Sequence, residues 1–380
     1  MSAPKKIAII TSSRADFGIY QPLISAIESM SEFRLELIAI GSHFFSNQGE
    51  TIQEVRHFYS GTIHEISVCS QGTSLKEISE NFSKTYSGVE ELWSKNADYD
   101  LVFALGDRYE MAAAVLSTVP YQIPVAHLHG GEITLGAIDQ IYRDTITLSS
   151  KLHFTATEQA KKRVESILGP QLKNSCVLHS GSIVLDKIAA LPELSETEFY
   201  QRFNFDLSQD FLLITIHPET VAMTENHLHV NEFEKAMDWI MEKTSYNLLI
   251  TLPNADPGAE VWRRLFINKS SKQGRIYCYE NLGVQAYYTA MKKCQSMLGN
   301  SSSGIIESAS AGAWVINLGS RQEGREFNQN TRHVRFLFED ILDALNSLPS
   351  NRYDGENIYG NGNAVLRILN STKKYLKIAD

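Results

Sequence analysis

The stretch LVFALGDRYEM, residues 101–111, joins a short apolar run to a polar turn and then to the start of a helix. Its apolar residues are continuous rather than alternating, which is typical of a strand that is buried on both faces. Such strands occur in parallel sheets that helices cover on both sides. The stretch therefore predicts one strand–turn–helix unit of an α/β fold.

The same pattern recurs along the whole chain. Each run is rich in β-branched and aliphatic residues, and a polar or glycine-containing turn follows it. The runs are 6–11, 35–40, 101–105, 123–128, 152–157 and 175–181 in the first half, and 210–216, 246–252, 275–280, 295–300 and 313–319 in the second. They predict two Rossmann-like doubly wound α/β domains that face a central cleft, with ligands at the carboxyl ends of the strands.

The domain boundaries follow from the polar stretch 191–210, which contains one proline and is interpreted as a linker. We predict an N-terminal Rossmann-like domain over 1–190 and a C-terminal one over 205–362. A closing helical run, 363–380, could pack on either domain, and we assign it to the N-terminal one.

Charge and composition exclude several classes of protein. A chain of 380 residues with a net charge of −9 is not expected to bind nucleic acid or an anionic membrane over a broad surface, although a small anion site remains compatible with it. No apolar run reaches the roughly 18 residues of a membrane helix, and the first residues show no long apolar h-region or small-residue cleavage pattern of a signal peptide, so we expect none. Four cysteines without CxxC spacing indicate reduced thiols rather than a disulfide framework or zinc site. We expect a cytosolic enzyme.

Candidate catalytic side chains follow neighbouring strands. Asp107 comes directly after the strand 101–105, where the alternative interpretation is a helix N-cap. The stretch AHLHGGEITLGAIDQIYRDTI, residues 126–146, then supplies Glu132 and Asp139. Paired carboxylates suit the removal and return of a proton when one pKa is raised towards neutrality.

The same stretch contains three further polar residues. Arg143 lies four residues after Asp139 and hence on the same helical face, where the alternative to a site role is a surface ion pair of little energetic weight. His127 and His129 have the i, i+2 spacing of metal ligands, but no third ligand is evident. A core histidine with satisfied hydrogen bonds is the alternative for at least one of them.

Other strand ends favour anion binding. The turn TSSRADFG (11–18) places Arg14 after the first strand, and His217 ends a strand of the second half. The stretch GNSSSGIIESASAG (299–312) passes through serines and Gly304 into a helix, so backbone N–H groups and hydroxyls form an anion site. Glu307, one turn inside that helix, is placed to bind a ribose diol. Arg321 and Arg325 suit phosphate recognition.

The nucleotide-binding fingerprints GxGxxG and GxxxxGK[ST] are absent from the sequence, which argues against a nicotinamide enzyme and a P-loop ATPase. The remaining motifs resemble those of the hydrolysing UDP-N-acetylglucosamine 2-epimerases that serve bacterial sialic and legionaminic acid synthesis. The resemblance extends over TSSRADFG, GDRYE, HLHGGE, IHPET, PNAD, GNSSSGIIE and RQEGR, or roughly residues 5–330. Their order and spacing are specific to this family, and the resemblance implies a GT-B-like pair of domains.

The resemblance also implies a two-stage reaction. A base removes the proton on carbon 2 of the sugar while UDP leaves carbon 1, giving 2-acetamidoglucal. Water then adds at carbon 1, and a proton returns to carbon 2 from the opposite face. The products are UDP and the free 2-epimer, which is N-acetylmannosamine for UDP-N-acetylglucosamine. The alternative substrate is UDP-2,4-diacetamido-2,4,6-trideoxyglucose of the legionaminic acid pathway.

Site roles carry over from the family by position. The N-terminal domain is the sugar and acid–base side, and the C-terminal domain is the UDP side. The acid–base set is Asp107, Glu132, Asp139 and His217. The substrate-binding set is Arg14, His127, His129, Arg143, Asn254, Ser302, Ser303, Gly304, Glu307, Arg321 and Arg325. The resemblance implies no metal and no organic cofactor, and relatives suggest a homodimer or homotetramer.

One position departs from the family pattern. Many members have His-x-Glu where this chain has His127, Leu128 and His129, and Glu132 is shared more narrowly with hydrolysing relatives. The identity of the base therefore stays open. Three other functions remain as alternatives: a non-hydrolysing epimerase, a retaining glycosyltransferase and a UDP-sugar-binding protein without catalysis.

Overall fold

The chain divides into two compact units. The structure is a computed structural model that describes residues 3–45, 50–67, 74–133, 138–219, 226–253 and 258–378. One unit comprises Met1–Lys187 together with Tyr359–Asp380, and the other comprises Ile188–Ile358. The closing segment thus belongs to the first unit.

The first unit is a seven-stranded parallel sheet with helices on both faces. Its strands are β1 (Lys5–Thr11), β2 (Phe33–Ala39), β3 (Thr62–Glu65), β4 (Leu101–Leu105), β5 (Val125–Leu128), β6 (Leu152–Thr155) and β7 (Cys176–His179). Its helices are α1 (Arg14–Glu28), α2 (Ile52–Phe58), α3 (Leu75–Lys95), α4 (Tyr109–Thr118), α5 (Asp139–Ser149), α6 (Glu158–Leu168) and α7 (Ile183–Ala189), joined at the end of the chain by α14 (Ala364–Tyr375). The strand order is β3-β2-β1-β4-β5-β6-β7.

The second unit repeats this plan with six parallel strands. They are β8 (Phe211–Thr215), β9 (Asn247–Thr251), β10 (Ile276–Tyr279), β11 (Ser296–Gly299), β12 (Trp314–Leu318) and β13 (Thr331–Val334). The helices are α8 (Glu196–Phe203), α9 (Asn226–Lys243), α10 (Ala259–Ser270), α11 (Gly283–Lys293), α12 (Ser302–Ile306) and α13 (Phe338–Asn346). The order β10-β9-β8-β11-β12-β13 is the doubly wound Rossmann order, which the first six strands of the other unit also follow.

The predicted α/β class with two Rossmann-like sheets is confirmed, and its central strands are buried as the apolar runs indicated. Every residue of β8 and β9 is buried, for example. Two strands, β3 and β13, were not predicted. Both lie at an edge of their sheet and are partly exposed, so their sequences TIHE and TRHV lack the continuous apolar run that reveals a central strand.

The interpretation of 191–210 as a linker is wrong. This stretch contains α8, whose N-terminus has a capping box formed by Ser195 and Glu198. Phe199 on this helix is fully buried and packs against Phe203 and Phe205, with ring centroids 4.9 and 6.2 Å away. The phenylalanines attach the stretch to the core of the second unit, whereas its polar residues account for the linker-like composition.

The closing helix α14 completes the core of the first unit. Ile368 and Leu369 are buried in the same hydrophobic cluster as residues of α1. The carboxylate of Asp186 accepts backbone N–H groups of Ala364 and Val365, each at 2.9 Å, at the start of the helix. This arrangement satisfies two amides that have no partner within the helix.

Two further features bear on the predicted class of protein. No helix in the described part of the chain is both long and apolar enough to cross a membrane. The described cysteines, Cys176, Cys278 and Cys294, are free thiols, and Cys69 lies outside the described residues.

Candidate functional site

A buried arginine connects the ends of two neighbouring strands in the first unit. Asp107 follows β4, and its carboxylate accepts a hydrogen bond from Nη2 of Arg143 on α5. Nη1 of the same guanidinium donates to the backbone oxygen of Glu132, in the loop after β5, at 2.7 Å. Only 4% of the Arg143 side chain is exposed, so its charge requires partners inside the protein. The arginine therefore holds the Asp107 carboxylate beside the segment that carries Glu132.

This geometry corrects two of the alternatives weighed above. Helix α4 begins at Tyr109 and its N-cap residue is Arg108, without a side-chain capping bond, so Asp107 does not cap it. The interpretation of Arg143 as part of a surface ion pair is also wrong, because the side chain is buried and pairs with Asp107. Asp139 is half-buried and is the first residue of α5.

The two histidines of the same loop have different environments. His127 is fully buried; its Nε2 lies 2.9 Å from the oxygen of Gly106 and its Nδ1 lies 3.1 Å from Oγ1 of Thr147. Because a carbonyl oxygen can only accept, Nε2 carries the proton and Nδ1 accepts from the hydroxyl. Burial lowers the pKa of His127 to about 3, so the ring stays neutral. His127 is thus a satisfied core residue that fixes the turn preceding Asp107.

His129 forms a hydrogen bond with a carboxylate. Its Nδ1 lies 2.7 Å from Oε1 of Glu132, and both side chains are about one-seventh exposed, at 14% and 15%. The backbone of His129 has a φ of +62°, a conformation that is uncommon outside glycine. The loop therefore presents a histidine–glutamate pair beside the Asp107–Arg143 pair.

The end of β1 carries a structural carboxylate that was not predicted. Asp16 is buried and accepts the backbone N–H groups of Ser12 and Ser13, both at 2.7 Å, together with their hydroxyls. It forms a capping box with Ser13, so the S-x-x-D spacing in TSSRADFG could have identified it. Arg14, the first residue of α1, is exposed, and its Nε lies 3.2 Å from the Glu54 carboxylate.

The turn that contains Asp107 also holds an ion pair that was not predicted. Nη2 of Arg108 donates to Oε1 of Glu110 at 2.8 Å, and the Glu110 side chain is 1% exposed. Nearby, His43 is buried between Thr11 and Thr51, 2.9 Å from each hydroxyl, and burial lowers its pKa. Arg108, Glu110 and His43 thus lie near the ends of β1 and β4, where the strand order reverses.

In the second unit, an asparagine joins the ends of β8 and β11, where the strand order also reverses. Asn300 is fully buried; its Oδ1 accepts the backbone N–H of His217 at 2.7 Å, and its Nδ2 donates to the His217 oxygen at 2.9 Å. His217 itself is nearly buried. Ligands of doubly wound sheets bind at this reversal of strand order, so the pair of bonds places the His217 backbone at the expected position.

A hydroxyl network lies beneath the serines that follow β11. Ser303 Oγ lies 2.9 Å from Ser301 Oγ and 3.0 Å from the hydroxyl of Tyr287, which in turn lies 3.0 Å from Oγ1 of Thr215. Burial raises the pKa of Tyr287 to about 12, so the phenol remains protonated. The network orients Ser303, one of the residues predicted to hold phosphate.

The helix that follows these serines is shorter than predicted. Helix α12 ends at Ile306, so Glu307 caps its C-terminus rather than lying one turn inside it. The Ser308 hydroxyl donates to the oxygen of Gly304, a local bond of the kind that competes with helix continuation. Gly304 is buried, and a Cβ there would meet the Val315 side chain at 3.3 Å, so its small size serves packing on the sheet. Ser302, its neighbour, is half-buried.

The loop after β12 is attached to the end of β8 by a glutamate that was not predicted. The Glu219 carboxylate accepts the backbone N–H groups of Ser320 and Arg321, at 2.6 and 3.1 Å. Nη1 of Arg321 also donates to the oxygen of Asn300 at 3.1 Å, and Arg325 is half-buried on the same loop. These contacts bring Arg321 to the strand end that carries His217. The phosphate-binding role of Arg321 and Arg325 stays a prediction. Asn254 lies outside the described residues.

The geometry agrees with what the comparisons with known proteins show. The family model for UDP-N-acetylglucosamine 2-epimerase matches residues 25–373. The polysialic acid biosynthesis protein P7 of Escherichia coli is 28% identical over 98% of this chain and 95% of its own length. The hydrolysing GDP/UDP-N,N'-diacetylbacillosamine 2-epimerase of Campylobacter jejuni is 30% identical over 92% of this chain and 88% of its own.

A solved structure shows the same fold. The UDP-GlcNAc 2-epimerase of Neisseria meningitidis bound to UDP-GlcNAc superposes with a TM-score of 0.78 at 17% identity, covering 97% of this chain and 100% of the other. The family match spans most of the chain and includes Asp107, Glu132, His217 and Ser303. The chain therefore belongs to the UDP-N-acetylglucosamine 2-epimerase family.

Proposed function

We propose that this protein is a hydrolysing UDP-N-acetylglucosamine 2-epimerase that releases UDP and N-acetylmannosamine. The observation that carries the proposal is the pairing of Asp107 with buried Arg143, beside the hydrogen-bonded His129 and Glu132. Epimerisation through elimination requires one group to remove a proton and another to help return one. The first unit supplies both kinds of group within one loop cluster.

The charges favour elimination followed by hydration. The Asp107 carboxylate, held by the Arg143 guanidinium, is placed to accept a proton. His129 supplies an imidazole whose ring is hydrogen-bonded to the Glu132 carboxylate. Proton transfer to such groups allows the bond between carbon 1 and UDP to break with formation of 2-acetamidoglucal, after which water adds.

The second unit supports recognition of the nucleotide. The hydroxyls of Ser301 and Ser303 and the guanidinium of Arg321 lie at adjacent strand ends, and Glu307 follows them. Guanidinium and hydroxyl donors match the oxygens of a diphosphate, and a carboxylate matches a ribose diol. These donors would stabilise the charge that develops on the departing UDP.

A second substrate is favoured by one specific observation. The Campylobacter jejuni relative carries the name of a hydrolysing diacetylbacillosamine 2-epimerase and is 30% identical to this chain. The second candidate activity is therefore hydrolytic epimerisation of UDP-2,4-diacetamido-2,4,6-trideoxyglucose, as in legionaminic acid synthesis. Its sugar carries an acetamido group in place of the hydroxyl at carbon 4 and a methyl group in place of the hydroxymethyl group at carbon 6.

The test is proton NMR of the purified protein in heavy water with each sugar nucleotide in turn. We expect UDP and the free 2-epimer with deuterium at carbon 2, and the higher kcat/KM identifies the substrate. UDP-N-acetylmannosamine as the final product would instead indicate a non-hydrolysing epimerase. Transfer of the sugar to an added acceptor would indicate a glycosyltransferase. Binding of UDP without turnover of either substrate would indicate a binding protein and refute the proposal.

The active form is proposed to be a homodimer or homotetramer. Light scattering coupled to gel filtration measures the mass directly. A mass equal to one chain of 42.7 kDa at assay concentration, with full activity, would refute the oligomer.

A further inference from the structure

His129 differs from His127 in having one ring nitrogen without a partner. Its Nδ1 is bonded to Glu132 at 2.7 Å, whereas its Nε2 is buried and has no hydrogen-bond partner in the described part of the protein. Both nitrogens of His127, two residues earlier, are engaged. A buried polar atom without a protein partner calls for an explanation, and a ligand or a reacting atom is the one considered for His129.

The protonation state of the ring follows from its partner. An ionised carboxylate only accepts hydrogen bonds, so Glu132 selects the tautomer with the proton on Nδ1. The lone pair then lies on Nε2, the atom without a protein partner. The same carboxylate stabilises the imidazolium that forms when Nε2 takes up a proton.

The backbone holds this ring in an uncommon conformation. The φ of +62° at His129 costs roughly 1–2 kcal/mol for a residue that bears a Cβ. The following loop is fixed by Arg143, which donates to the Glu132 oxygen at 2.7 Å and also binds Asp107. Strained backbone supported by its surroundings is found preferentially at functional sites.

We propose that His129 is the catalytic base of the first stage and that Glu132 is a positioning residue acting through it. This inference rests on the proposed epimerase function. Nε2 takes the proton from carbon 2, the carbon–hydrogen electron pair becomes the carbon 1–carbon 2 double bond, and UDP leaves with the electron pair of its bond to carbon 1. In the second stage the hydroxyl of water joins carbon 1, and ionised Asp107 passes the proton of that water to carbon 2. The His129 imidazolium then loses its proton to solvent.

The first test replaces the base without disturbing the backbone. Asparagine tolerates positive φ better than most residues, which makes His129→Asn the appropriate variant. We expect kcat for UDP release to fall about 10²–10⁴-fold, the usual worth of a positioned base, with UDP affinity within about twofold of the wild type. The matched control is His64→Asn, because His64 also bonds a carboxylate, that of Glu36 at 2.8 Å, but lies on the edge strand β3. The control should retain full activity.

The second test separates the base from its positioning residue. The charged and titratable groups around His129 are Glu132 in its own loop, Arg143 of α5, Asp107 after β4 and neutral His127 of β5. In Glu132→Gln we expect kcat to fall about tenfold to a hundredfold with KM nearly unchanged, because the imidazole loses the carboxylate that orients it.

The opposite pattern would overturn the assignment. If Glu132 is itself the base, Glu132→Gln abolishes activity while His129→Asn keeps the wild-type rate. A further readout requires neither variant nor turnover: nitrogen-15 NMR of the wild-type ring should show the Nδ1–H tautomer, and an Nε2–H tautomer at neutral pH refutes the proposal. Wild-type protein that turns over neither UDP-sugar refutes the proposed function, and the catalytic role of His129 with it. If the wild type is active and His129→Asn is fully active as well, the role of His129 as base is refuted and the proposed function is not.

Discussion

Replacing Asp107 with asparagine should affect both the rate and the stability, because the carboxylate has two roles. The substitution keeps the shape of the side chain but removes its charge. The rate should fall about 10²–10⁴-fold, the range for a group that transfers a proton in the transition state. It also removes one anionic partner of the Arg143 guanidinium, of which 4% is exposed.

The stability cost can be bounded from the exposure of the pair. Breaking a fully buried ion pair costs about 3–5 kcal/mol, and the exposed fraction of Asp107, 26%, lowers this expectation because water can reach the position of the lost carboxylate. We therefore expect a loss of about 1–3 kcal/mol in the unfolding free energy of the first unit, the usual strength of a charge-assisted hydrogen bond. Amide hydrogen exchange of peptides from β4 and β5 measures this loss locally.

The double variant Asp107→Asn/Arg143→Gln distinguishes the two roles. Removal of the guanidinium also removes the charge that Asp107 partners, so the stability losses should be less than additive, by about 1–3 kcal/mol, whereas the rate should not recover. Binding of UDP should change little in Asp107→Asn, since the nucleotide donors lie in the second unit. If Asp107→Asn shows the amide exchange rates and the substrate turnover of the wild type, the reasoning is refuted.

Three further predictions follow from the described geometry. Gly131→Ala should destabilise the protein by several kcal/mol in thermal unfolding, because φ is +81° and a Cβ would lie 2.2 Å from a backbone oxygen of α6. The control is Gly283→Ala, where φ is +71° and no atom lies within 4 Å of the added Cβ. It should cost only the roughly 1–2 kcal/mol of backbone strain. Burial lowers the pKa of His153 to about 4, so the unfolded chain binds a proton below its ordinary pKa of about 6.5 and stability is lost as pH falls from there towards 4. His153→Leu should reduce the slope of unfolding free energy against pH by about 1.4 kcal/mol per unit over that range, and an unchanged slope would contradict the assignment. Tyr287→Phe removes the hydroxyl 3.0 Å from Ser303 and should weaken UDP binding about threefold to tenfold by calorimetry, whereas unchanged affinity would show that the network does not orient the serine.

The sequence alone predicted the class of fold and most of its strands. Continuous apolar runs identify central strands because both of their faces are buried, as for β8 and β9. The positions of Asp107, His129, His217 and Ser303 at strand ends could also be read from the sequence, since each lies within three residues of the end of such a run. The edge strands β3 and β13 were not predicted, because they are partly exposed and therefore lack the continuous apolar run of a central strand.

Only the tertiary structure decided which of these residues act together. Arg143 lies four positions after Asp139 in the sequence, yet its guanidinium binds Asp107, 36 residues earlier, because adjacent parallel strands bring their carboxyl ends to one edge. In the same way, Asn300 binds the His217 backbone 83 residues away, and Glu219 binds the loop that begins about 100 residues later. Residue type and local spacing set what each side chain can do. Its partner depends on strand order and burial, which arise only when distant segments pack, so local spacing alone could not reveal it.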